Sequence, residues 1–219
     1  MQLEPRHIDA PYWPTLLFVG IFVLLACARV LYPKRFLEFI QLPLTDRYFA
    51  LEGKSDEIRH PFNLLLFGVQ VCSFSLFLYI TLTAKNPEVR GANPWLFLQI
   101  ATGFFVFVTF RYYLEKLIAH TMNIEPLVNR YLYEKLSYTN LISLFVYAAS
   151  LLLFFSIPTT GAIIPILASC IALFYAIALF SSAKRNGTSI LQNIFYFILY
   201  LCALEIAPYI LLYMVWVKF

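Results

Sequence analysis

The sequence predicts an all-α polytopic membrane protein: a bundle of six transmembrane helices with an extended cytoplasmic hairpin between helices 3 and 4. Three observations lead there. The 219 residues are 61% hydrophobic and only 13% charged, with a mean hydropathy of +0.75. Soluble domains carry about twice that charge and about 45–50% apolar residues. The apolar residues gather into runs at about 12–32, 61–83, 94–113, 138–157, 162–182 and 190–216, each near the ~20 residues that cross a bilayer. Lys and Arg fall mostly between those runs. A water-soluble fold is excluded, and the length suits one integral-membrane helical domain, 1–219.

The first run, Tyr12 to Tyr32, is expected to be a retained helix. Its tail lacks a positive n-region, and Pro33-Lys34-Arg35 follows as a stop-transfer flank. The polar connection from Lys34 to His60 opens with a short amphipathic segment. There Phe36, Phe39 and Ile40 share a face fit to lie among lipid headgroups. Gly53-Lys54-Ser55 ends like a phosphate-binding loop, but Tyr48 stands where the pattern needs a glycine.

Pro61 suits the first turn of the second span. Asn86, Pro87, Gly91 and Asn93 mark a loop before the third, which opens at Pro94-Trp95. The helical pattern of the third span continues through Arg111, Glu115 and His120 to about Met122. At 1.5 Å per residue its ~29 residues reach ~43 Å, well beyond a ~30 Å hydrocarbon core. Asn123 to Pro126 is a turn, and the fourth helix begins polar before its own apolar run. Pro158 to Gly161 is a tight turn joining the fourth and fifth spans as an antiparallel pair.

Charge and tryptophan give one orientation. Arg6, Lys85, Arg90 and Lys218 fall on one side of the six-span threading, and the other twelve of the 16 basic residues fall on the other. The basic side is the cytoplasmic one, so both termini are expected in the periplasm. Trp13, Trp95 and Trp216 then sit at the outer interface, where such rings concentrate.

Polar chemistry gathers in two places. The cytoplasmic hairpin holds Glu115, Lys116, His120, Arg130 and Glu134. Folding it about Ile124 is expected to bring Glu115 near Arg130 and Lys116 near Glu134. Arg111 with Glu115, and Arg130 with Glu134, are pairs at i,i+4 spacing. The hairpin reads either as a solvated charged surface or as a docking face. The second place is an intramembrane site around Glu205, with Arg29, Arg111, Gln70 and Tyr209 as candidate neighbours. Pro208 loosens the helix beyond Glu205. A carboxyl at that depth reads either as a protonated group within the bundle or as a proton or cation site. Ala203 and Ala207 lie on the face opposite Glu205, and Ala168, Ala172 and Ala176 repeat the spacing in the fifth span. The fifth and sixth helices are expected to pack through these alanines.

Catalytic signatures are missing. The chain has three histidines, no His-Glu-x-x-His pair and no Gly-x-Ser-x-Gly elbow. Cys27, Cys72, Cys170 and Cys202 occupy four different runs without Cys-x-x-Cys spacing. They read as small buried hydrophobes, and no metal or cofactor is expected.

The segments Leu199 to Pro208, Phe110 to Ile118 and Leu44 to Phe49, with His60-Pro61-Phe62-Asn63, carry a resemblance. The chain resembles a Bacteroidetes family of integral inner-membrane proteins catalogued as a domain of unknown function. That resemblance implies a bacterial cytoplasmic membrane and supplies no activity. The leading expectation is a non-enzymatic subunit or assembly partner of an envelope complex, contacting lipid and a membrane-protein partner or a second copy, and no nucleic acid. A small transporter or proton- or cation-coupled channel using Glu205 is the alternative. A lipid-modifying enzyme, resting only on the basic inner face, is the third.

Overall fold

A computed structural model describes residues 13–42, 60–85, 94–121, 125–155 and 163–185. The helices are α1 (Trp13–Leu31), α2 (Pro33–Ile40), α3 (Pro61–Lys85), α4 (Leu96–Thr121), α5 (Glu125–Phe155) and α6 (Ile163–Arg185). Among the described residues there is no strand. Four stretches are long and apolar enough to cross a membrane: Trp13–Leu31, Pro61–Ala84, Leu96–Thr121 and Tyr131–Phe155. Within α6, Ile163–Ile177 is a shorter apolar stretch.

Proline and aromatic packing set the helix boundaries. Pro33 bars Tyr32 from helical geometry (φ −133°, ψ 60°), so α1 stops at Leu31 and α2 restarts with proline in its first turn. His60 precedes Pro61 in the same way. Its Nδ1 accepts the Phe62 N–H at 3.2 Å, answering one of the donors a helix start leaves without a partner.

α2 departs from the expected geometry. Phe36 and Phe39 are buried, with Phe39 against Phe62 of α3, whereas Ile40 is 48% exposed. The helix rotates its two rings into the end of the bundle instead of presenting them with Ile40 to headgroups. Burying a phenylalanine side chain is worth about 1.5–3 kcal/mol. The thiols also depart: Cys27 and Cys170 are exposed and Cys72 is half-buried. Cys202 lies outside the described residues. A small side chain on an outward face that is itself apolar has few apolar neighbours to gain by turning inward.

α3 is the hub, packing against α1, α4 and most extensively α5. Half of its span is buried, against 6% of the span in α4. α5 in turn carries α6. Ring contacts fix how the helices run. At one end of the bundle Trp13 meets Tyr79 and Phe97. At the other, Tyr32 and Phe39 meet Phe62. α1 and α3 are therefore antiparallel, and α4 returns from the Trp13 end. α5 rises again, placing Phe154 and Phe155 on Phe18. Outward, α1 and α6 expose Leu16, Phe22, Val23, Leu173, Phe174 and Ile177. Such faces are foreign to a protein surrounded by water.

Candidate functional site

At the α2 end of the bundle, α4 and α5 bring charged side chains together out of solvent. Arg111, Glu115 and Ala119 recur at helical spacing, and that face of α4 is buried. Across from it, α5 buries Val128, Tyr131 and Leu132. Glu115, 1% exposed, is the centre. Its Oε1 accepts from Arg111 Nε at 3.0 Å and from Lys135 Nζ at 2.7 Å. The Lys135 ammonium also lies 5.9 Å from the centre of the Tyr131 ring. Glu134, beside Lys135 in the chain, is equally buried. Arg111, Lys135 and Glu115 thus form a paired ion group, as burial demands of ions.

The expected pair between Arg111 and Glu115 is present. Across the helices Glu115 meets Lys135, while the side chain of Arg130, its expected neighbour, lies outside the described residues. Lys116 is exposed while Glu134 is buried, so that pairing does not form. Lys116 stands ~100° around α4 from Glu115, which turns it away from α5. At the tip, His120 Nδ1 meets a Glu125 carboxylate oxygen in an exposed contact joining the end of α4 to the start of α5. It sets opposite charges where the two helix dipoles favour them when the imidazole is protonated.

A second polar group starts at the same height and runs deeper. α3 buries Asn63, Gln70, Ser73 and Ser75, and α5 buries Ser137, Asn140, Ser143 and Ser150. No residue of α1 or α6 joins the buried polar set among the described residues. Three of the α5 hydroxyls return to their own helix: Ser137 to Tyr133 O, Ser143 to Asn140 O and Ser150 to Val146 O. Gln70 Oε1, Ser73 Oγ, Ser75 Oγ and both amide atoms of Asn140 have no hydrogen-bond partner among the described residues.

The ring contacts give the relative heights. Phe18 lies five residues along α1 from Trp13, level with Phe74, which lies five residues back from Tyr79. Tyr147 donates its hydroxyl to Phe18 O at 3.0 Å, so it stands near that level too. Lys135, twelve residues earlier on α5, then falls beside the first turn of α3, the height at which it meets Glu115. Gln70 is level with Ser143, ~12 Å further into the bundle than the ion cluster at 1.5 Å per residue.

The remaining expected residues divide. Arg29 is exposed in the last turn of α1. Gln70 is 3% exposed in the centre. Ala168, Ala172 and Ala176 are exposed along α6, while Ile163, Leu167, Ile171 and Tyr175 pack toward the core. Glu205, Tyr209, Ala203 and Ala207 lie outside the described residues. No group of three His, Cys, Asp or Glu residues suited to a metal occurs among the described residues. Sequence reasoning missed Lys135, Asn140 and Ser73. The signal was present in the three- and seven-residue steps that carry Ser137, Asn140, Ser143 and Ser150 down α5.

A family model matches residues 15–215, which covers all but the first two residues of the six described helices and nearly all of the last apolar run. The chain belongs to the family described as a domain of unknown function (DUF4271). No curated protein and no solved structure matches it. The DUF4271 match includes both polar groups and the stretch carrying Glu205.

Proposed function

We propose that the protein is a six-span component of a bacterial cytoplasmic membrane, acting as a non-enzymatic subunit or assembly partner of an envelope complex. Both termini face the periplasm in this reading, and the α4–α5 tip faces the cytoplasm. The observation that carries it is where the charge goes. Arg111, Glu115 and Lys135 are committed to a buried cluster that joins α4 to α5, while α1, α4 and α6 keep apolar faces uncovered among the described residues. The alanine face of α6 suits close approach by the 190–216 stretch through Ala203 and Ala207. The test is chemical cross-linking in native membranes, then purification in mild detergent. A discrete larger assembly is expected, and a lone monomer without cross-linked partner contradicts the reading.

A second reading has one observation in its favour. Gln70 and Asn140 hold neutral carboxamide groups deep in the bundle, a setting that suits a proton or cation path using Glu205. Flux measured in proteoliposomes, with Glu205→Gln as comparison, decides it. Absence of flux in the parent protein removes this reading.

A further inference from the structure

We infer that the seam around α3 and α5 encloses structural water at mid-depth, bound at two places: by Asn140, and by Gln70 with Ser73. All three residues are nearly or fully buried: Asn140 is 1% exposed, Gln70 3% and Ser73 0%. Each carries side-chain atoms with no hydrogen-bond partner among the described residues. Leaving one such polar group dry costs about 1–3 kcal/mol, and burying several without compensation is rare in a native fold.

Local rescue is available and is not used. Ser137, Ser143 and Ser150 return their hydroxyls to their own helix backbone, and Thr81 does the same toward Phe77 O. Ser73 makes no such bond. It lies one turn from Gln70 on the same flank of α3, level with the part of α5 that carries Ser143. Asn140 lies two turns before Tyr147 on α5 and so on the same face, which reaches α1 through the Tyr147 bond to Phe18 O.

The chemistry of Asn140 selects the guest. Its Nδ2 is a donor and its Oδ1 an acceptor, and both are without a partner among the described residues. A cation serves only the oxygen and repels the amide hydrogens. An anion does the reverse. Water donates and accepts, so it answers both atoms with one species. Internal water typically makes about three hydrogen bonds to groups of this kind. The height suits the role: Gln70 and Ser73 stand ~13–18 Å along α3 from Pro61, in the middle of a helix ~37 Å long. Lipid cannot supply these bonds there.

The test is water-edited solid-state NMR on the full chain in lipid bilayers, with nitrogen-labelled Asn, Gln and Val. Asn140→Leu and Gln70→Met assign the two side-chain amides by removing them, and Asn140→Thr serves where the leucine variant does not fold. Magnetisation is expected to pass from water to both amides as fast as to the exposed Gln41 amide. Transfer as slow as that to the backbone N–H groups of Val69 and Val146 overturns the inference. That result also covers the case in which a side chain from residues 186–219 answers these groups.

Discussion

Two polar regions of this bundle solve the same problem differently. At the foot of α4 and α5, Glu115 receives both Arg111 and Lys135. About 8–16 Å deeper, at a rise of ~1.5 Å per residue, Asn140, Gln70 and Ser73 are as well buried but have atoms without a described partner. The difference teaches a hierarchy of cost. An unanswered ion in a low-dielectric interior costs several kcal/mol, which leaves its partners no freedom of position. A neutral amide costs less and can be served by a single water. The charged region therefore fixes the register of α4 on α5, and the neutral region tolerates a guest.

Changes at the charged region should have the largest effects. Glu115→Ala leaves Arg111 and Lys135 facing each other without the anion between them. A loss of about 3–5 kcal/mol is expected, read as a lower unfolding midpoint in detergent. Asn140→Leu tests the other side of the comparison. With water in the seam, it removes about two hydrogen bonds and lowers stability by about 1–3 kcal/mol. If the seam is dry, the same change relieves an uncompensated amide and raises the midpoint. Tyr147→Phe deletes only the bond to Phe18 O and should cost about 1 kcal/mol, seen as a small midpoint shift with unchanged helix content. Lys116→Ala removes an exposed charge on the far side of α4 and should stay within about 0.5 kcal/mol. A larger loss on calorimetry would mean that Lys116 pairs after all.

Much of the fold was legible because hydrophobic runs long enough to cross a bilayer are an unambiguous physical signal. Pro61 marked a helix start for the same kind of reason, since proline is tolerated in the first turn and excluded from the interior. Pro33, read only as part of a charged flank, also opens a helix. The extension of α4 to Thr121 followed from unbroken helical periodicity beyond Phe110. Rotation about each helix axis was less legible. α2 presents two faces with apolar residues, and only the location of Phe62 decides that Phe36 and Phe39 turn inward while Ile40 turns out. The pairing of Glu115 with Lys135 depends on which face of α5 is buried, which the charge pattern alone does not give. The buried polar set was readable only in part. Gln70 stands out within an apolar run and Asn140 belongs to the polar steps along α5, but Ser73 becomes notable only once neighbouring helices cover it.

A double-mutant cycle between Glu115 and Lys135, followed by reversible unfolding in detergent, tests most directly whether buried charge holds α4 on α5. Glu115→Leu and Lys135→Met should each be strongly destabilising alone, and the pair together should cost less than the two losses combined by about 1.5 kcal/mol or more. Additive losses, or single variants within about 0.5 kcal/mol of the parent, would contradict the account.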